Sequence, residues 1–275
     1  MLLEFAREIP LALPDEFENF GFLCAGATNK IDDLRLENAE WFKLAEDVNA
    51  ALMQTADSAM RTVKDNLFTP SSIAVRILLR SCGAFQAIVL LTERGMVAEG
   101  RILVRTLIEN GFCVAAIFEQ PEKFVEMLKE DSEASRQRQR KFIIAKQLID
   151  EGASRDKLQE AIDKFRKLSP INFRSLAELG PLEKHYLGYQ RFSDDSAHLT
   201  ARSLDRHVLR RDFRYFQYRW CIGDQGQNSA TLHHAILTAL GIGIGVTQIL
   251  GDTDNNAEFG NLAQRFEEMP PVPRI

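Results

Sequence analysis

Apolar residues recur along much of this chain at spacings of three and four, the period of one face of a helix. Over residues 37–66, Trp41, Leu44, Val48, Leu52 and Met53 form such a face, which predicts an amphipathic packing helix. Thr69 and Pro70 make an N-cap and first-turn pair. The run SSIAVRILLRSCGAFQAIVLLTER that follows reads as a strongly apolar core helix to Arg94, stopped by Gly95. A second apolar helix starts at once at Met96 and runs to Glu119, before Gln120 and Pro121. Two long helices joined by so short a turn predict an antiparallel hairpin, the spine of the fold.

Pro121 opens a third helix that runs past Ile149; its Arg136, Arg138, Arg140 and Lys141 read as a solvated surface, with a phosphate-facing patch as the alternative. A charged helix from Ser154 to Leu168 ends before Pro170, and shorter helical pieces lead into residues 183–198. Residues 208–220, VLRRDFRYFQYRW, are aromatic and β-prone, and Gly223, Gly226 and Asn228 supply turn chemistry after them. The last long helix is expected over Thr231 to Leu250, ended by GDTDNN. That hexapeptide resembles a calcium loop only in its acids, because the sixth-position Gly and twelfth-position Glu are absent. The fold class is therefore mostly α: a helical bundle around a central antiparallel helix hairpin, with a short β-hairpin or extended flap near 208–222. The expected division is an N-terminal helical segment packed on the bundle (1–68), a main bundle domain (69–252) and a C-terminal tail (253–275).

Composition narrows the class. With 45% hydrophobic and 27% charged residues, 16 Gly and 9 Pro, the chain is that of a globular protein rather than a disordered or fibrous one. A net charge of -5 argues against coating nucleic acid or anionic lipid by bulk electrostatics, although a local basic patch can still hold phosphate. Cys24, Cys82, Cys113 and Cys221 form no C-x-x-C pair, and Glu4, Arg7 and Glu8 interrupt what would be the apolar core of a signal peptide. Reduced thiols and a cytoplasmic location are expected. The stretch Ala235 to Leu250 is short for a membrane span and reads as a buried helix whose Gly241, Gly243 and Gly245 let another helix approach. No membrane association is expected.

Two places could carry chemistry. Winding residues 96–118 at roughly 100° per residue puts Gly100, Leu103, Val104, Leu107, Ile108, Gly111, Val114, Ala115 and Phe118 on one apolar face. Arg101, Arg105 and Glu109 then make a charged stripe interleaved with apolar residues. Partly buried charges of this kind must meet each other, another helix or a ligand. Residues 186–207 are the densest in reactive side chains, holding Tyr186, Tyr189, Arg191, Ser193, Asp194, Asp195, His198, Arg202 and His207. Histidine suits proton transfer near neutral pH and arginine holds phosphate, so Arg191 and His198, seven apart and two turns along one helical face, form a candidate phosphoester-cleaving pair. The plainer reading is a helix cap beside a satisfied histidine. Asp195 and His198 lack the matching Glu-x-x-His helices of a carboxylate-bundle metal site, so no metal is expected. Nor does the chain hold a G-x-S-x-G elbow, a P-loop or a Rossmann glycine pattern, and no cofactor is expected.

The segments RILVRTLIENGF (101–112) and YQRFSDDSAHLTARSL (189–204) resemble a bacterial family of helical domains of unknown function. In that family an R-x-L-x-E helix precedes a Tyr and a Ser-x-x-x-His segment, matched in order by Arg105, Leu107, Glu109, Tyr189 and His198. The resemblance covers roughly residues 70–250. More distantly the chain is similar to the HEPN superfamily of helical bundles, whose ribonucleases carry an Arg followed by four to six residues and a His; here six residues separate Arg191 from His198. Those ribonucleases usually carry a polar residue after the Arg, where this chain has Phe192. The resemblance implies a homodimer that cleaves RNA without metal, in a toxin or phage-defence role. His198 would move protons at the 2′-hydroxyl or leaving oxygen, and Arg191 would stabilise the developing phosphorane charge. Arg105 and Glu109 would order the site, with Arg101, Tyr189, Ser193, Asp194, Arg202 and His207 around the substrate. The alternative is a non-catalytic module in which the same polar cluster binds a nucleotide, RNA or a protein partner encoded nearby.

Overall fold

A computed structural model of the 275-residue chain describes residues 17–24, 27–164, 169–210 and 215–273. Two N-terminal pieces, α1 (Phe17–Phe20) and α2 (Ala27–Glu37), precede α3 (Ala39–Thr62). Arg35 of α2 pairs with Glu46 of α3 and with Glu93 further along the chain, tying the N-terminal segment down. Residues 1–16 of the expected 1–68 segment, with the leader argument made on them, lie outside the described residues. In α3 the three- and four-residue pattern buries Trp41, Leu44, Val48 and Leu52, but Met53 is exposed, because the stripe is one residue wide at that turn.

The central hairpin forms as α4 (Pro70–Glu93) and α5 (Val97–Glu119). Thr69 caps α4 by accepting from the Ser72 N–H at 3.2 Å, with Pro70 at the first helical position. Gly95, at φ +75°, makes the turn in the left-handed region that a β-carbon disfavours. The following helix α6 (Pro121–Ala145) ends short of Ile149, and its Arg136 and Arg140 pair with Glu133 on the same helix. Next come α7 (Ala153–Lys164), α8 (Phe173–Leu179), α9 (Tyr186–Phe192) and α10 (Ala201–Asp205); the expected end of α7 at Leu168 lies outside the described residues. Strands β1 (Val208–Arg210) and β2 (Phe216–Tyr218) pair antiparallel, with Val208 opposite Tyr218, and form the expected hairpin.

Helix α11 (Gln225–Leu250) begins six residues earlier than the apolar pattern indicates. Asp224 caps it by accepting from the Gln227 N–H at 2.7 Å, so Gly226 and Asn228 occupy its first turn rather than a loop. The segment read as a tail holds a further helix, α12 (Thr253–Glu267). Gly251, at φ +68°, ends α11, and Asp252 caps α12 at once by accepting from the Asn255 N–H at 3.2 Å. The cluster of polar residues that looks like a stop is thus a junction of two caps, and Phe259 and Leu262 of α12 are buried against the bundle.

Helix α5 is the axis of the protein. On one side Val104, Leu107 and Val114 join a large core built with α3, α4, α11 and α12. On the other, Phe112, Ala116 and Ile117 join a second core with Phe124, Leu176, Ala177 and Tyr189. Because α5 is covered from both sides, its polar stripe is enclosed as well, while Phe118, assigned to the apolar face by periodicity, is exposed at the end of the helix. Among the described residues α4 and α11 are long and apolar enough to cross a membrane by length and composition alone, with 44% and 61% of their apolar stretches buried in the protein.

Candidate functional site

The polar stripe of α5 meets α9 and the segment after it. Helix α9 runs into a five-residue π turn, Ser193–Ala197, in which the His198 N–H reaches the Ser193 carbonyl five residues back at 3.0 Å. Phe192 anchors this junction: it is buried in the main core, edge-on to the His234 ring of α11 at 5.1 Å. The side chain that departs from the pattern of the HEPN ribonucleases is therefore a packing anchor here.

Arg105 lies over the Tyr189 ring, 4.8 Å from its centroid. It donates from Nη2 to the Tyr189 hydroxyl at 2.7 Å and from Nε to Ser193 Oγ at 2.8 Å, and its Nη1 pairs with Glu109 at 3.1 Å. The Tyr189 hydroxyl in turn donates to Glu109 at 3.2 Å, and Ser193 donates to the Tyr189 carbonyl at 2.9 Å. Every polar group of this half has a partner. Burial pushes the Tyr189 phenol up, and the neighbouring Glu109 carboxylate adds to that against the opposing charge of Arg105, so it stays a neutral donor.

One turn earlier on α5, Arg101 is buried and donates from Nε to Thr231 Oγ1 of α11 at 3.2 Å. Its Nη1 pairs with Asp195 at 3.0 Å. Asp195, also buried, takes a second ion pair from Arg206 and a longer one from Arg202 at 3.5 Å. Burial opposes ionisation of the Asp195 carboxyl, but Arg206 and Arg101 outweigh it and hold it below the usual carboxylate range. The two partners of the Arg101–Asp195 pair move in opposite senses for stability: burial also lowers Arg101, despite Asp195, and the like charge of Arg206 lowers it further. We regard the pair as ionised, because arginine starts far above neutrality.

The structure thus brings together Arg101, Arg105, Glu109, Tyr189 and Ser193, with Arg202 at the exposed rim. Asp194 is exposed and offers its carbonyl to the Thr200 hydroxyl at 2.6 Å, which helps start α10. His207 is exposed, and its carbonyl accepts from the Arg219 N–H at 2.9 Å. Arg191 and His198 do not lie two turns apart on one helical face, because α9 widens into the π turn and the backbone at His198 is extended, at φ -114° and ψ 150°. Both are exposed. Arg206 is a member of the network that spacing does not single out, and Asp195, set beside His198 by spacing as a metal-ligand pair, instead holds Arg101, Arg202 and Arg206. The π turn shifts the helical phase, and no residue in Ser193–Ala197 announces that shift.

Other chemistry is sparse. Burial pushes the Cys82 thiol up to about 11 and Cys113 up to about 12, so neither is a ready nucleophile. No group of three or more His, Cys, Asp and Glu that could hold a metal occurs among the described residues. A surface depression lined by Ser58, Thr62, Ser71 and Asp252 lies at the opposite end of α11 from Thr231 and contains no member of the network.

Fold and site define a helical bundle whose central helix carries an arginine–carboxylate network shared with a π turn. The chain belongs to DUF5677, a family of unknown function, whose sequence profile matches residues 71–215. The match takes in the central hairpin and every member of the network except Thr231, and ends before α11. No curated protein and no solved structure matches the chain.

Proposed function

We propose that this protein is a helical binding module that takes a phosphate-bearing ligand, a nucleotide or RNA, at the arginine network of α5. One observation carries the reading: among the described residues four guanidinium groups, those of Arg101, Arg105, Arg202 and Arg206, share two carboxylates, Asp195 and Glu109. The surplus of positive charge is partly withdrawn from water, where attraction for an anion is strengthened. Phosphate matches the planar donor fork of guanidinium. Arg202, with 56% of its side chain exposed, stands where such a ligand would arrive.

The test is titration of the full chain with adenosine monophosphate and with a labelled oligo-uridine of about ten nucleotides, a length within the usual single-strand site size. Both should bind, and Arg105→Gln and Arg202→Gln should weaken both. For every phosphate of the oligonucleotide that a substitution leaves unneutralised, the slope of log affinity against log salt should fall by about 0.7. Affinity indifferent to both substitutions would remove the proposal. Cleavage of the RNA by the wild type that disappears in His198→Ala and Arg191→Ala would replace binding with a HEPN-like ribonuclease activity.

A further inference from the structure

The hairpin that follows the network has no role in the proposal above, yet its side chains are unusual for a solvent-facing ribbon. Tyr215, Phe216, Tyr218 and Trp220 are 69%, 55%, 81% and 56% exposed. Water contact over four aromatic rings in six residues is costly, and such a patch on a protein surface marks an interaction site. Phe216 and Tyr218 stand two apart on β2, on one face of the strand, with ring centroids 5.5 Å apart. Trp220 continues the series and rests one edge on buried Phe17 at 5.7 Å, which holds it in place.

Charge says what covers this patch. Residues 202–219 hold six arginines against two aspartates, in a chain whose net charge is -5. An acidic protein has thus concentrated positive charge on its most aromatic segment. The base of the hairpin is joined to the network: Arg206 pairs with Asp195 through its side chain and accepts from Arg219 Nε at its carbonyl, at 3.1 Å. From the network outward the surface therefore runs from guanidinium groups to a row of rings.

We infer that the β1–β2 hairpin is a stacking platform for single-stranded RNA, whose bases lie on Phe216, Tyr218 and Trp220 while its phosphates run towards Arg202 and Arg206 of the network. Stacking suits every base because each has a π-face, and arginines beside aromatic rings are the usual companions of a single strand. A duplex keeps its bases stacked on one another and cannot use the rings. The exposed Tyr218 hydroxyl, on the same face as the Phe216 ring, provides a polar group for a 2′-hydroxyl. The inference rests on the phosphate reading of the network for the direction of the strand.

The experiment is fluorescence anisotropy on the full chain with labelled oligo-uridine of about ten nucleotides, and with a duplex of the same length, for wild type, Tyr218→Ala, Phe216→Ala, Tyr218→Trp and Arg105→Gln. Removing either ring should weaken oligo-uridine binding by roughly tenfold or more, and Tyr218→Trp should restore it. Adenosine monophosphate affinity should not change in the ring variants. Because these rings are exposed, far-ultraviolet circular dichroism should be unchanged. Oligo-uridine binding that depends on Arg105 but not on the rings would overturn the platform and leave the network reading intact. Dependence on the rings but not on Arg105 would keep the platform and remove the network. Duplex bound as tightly as single strand, oligo-thymidine preferred over oligo-uridine, or a protein that copurifies with wild type and not with Tyr218→Ala while oligo-uridine binding is unaltered would each overturn the inference.

Discussion

Asp195 holds Arg101 and Arg206 on one buried carboxylate, so Asp195→Asn would leave two guanidiniums without their counter-charge. Removing one partner of a buried ion pair costs about 3–5 kcal/mol, and a loss of that order is expected in urea unfolding. Tyr189→Phe removes only the hydroxyl between Arg105 and Glu109, and about 1–2 kcal/mol should be lost, with helicity retained. A second residue-scale consequence concerns acid. Burial, with the charges of His233, Arg101 and Arg191, lowers His234 to about 4, and burial lowers His233 as well. Both rings are therefore neutral in the folded protein at pH values where an unfolded histidine, titrating near 6.5, takes up a proton. Their depressed values mean that stability is complete above about pH 6.5 and falls as pH drops from there towards 4. Asp195, also depressed, contributes a further loss only below about pH 4, where an unfolded aspartate protonates. Urea midpoints measured from pH 7.5 to 4.5 should decline, and His234→Gln should flatten the decline; an unaltered slope in that variant would show that the acid sensitivity arises elsewhere.

Elements meet here through small residues at close approaches. A β-carbon at Gly243 of α11 would stand 2.4 Å from the Phe259 ring of α12, and one at Gly245 would stand 2.6 Å from Val114 of α5. Gly241, the first glycine of the same series, faces open space. Gly243→Ala should therefore cost about 1–3 kcal/mol through overpacking, whereas Gly241→Ala should be neutral or stabilising by helix propensity. Comparing the two melting temperatures checks the assignment, since equal effects would mean that packing against α12 is not what Gly243 serves. The same close approach explains why α12 is part of the bundle: its Phe259 and Leu262 close the main core, and Trp41 stacks edge-on against its Phe266 at 6.1 Å.

On the scale of the whole molecule, Ile77, Ile108 and Ile249 pack against both cores, and α5 contributes to each. Shared residues of this kind should make unfolding one cooperative event, so circular dichroism at 222 nm and tryptophan fluorescence should trace the same urea transition. Two separated transitions would show that the second core opens independently. What the sequence determined alone was local: the capped start of α4 at Thr69 and Pro70, the Gly95 turn, the apolar faces of α3 and α5, the β-hairpin, and the unusual charge of Arg101, Arg105 and Glu109 on an apolar helix. Each of these depends on neighbours within a turn or two, which periodicity and capping chemistry report directly. The charged stripe is a burial anomaly in the sequence itself, and residues 186–207, the densest in polar side chains, supply most of its partners. Which of those residues meet it depends on how the helices pack around the turn. Asp195 and Arg206 join the network while Asp194 and His198 face water, because a π turn of five residues changes the phase of the helix. Which of two neighbouring aspartates turns inward depends on α5, α11 and Phe192 closing around that turn, through pairings between residues as many as 130 apart.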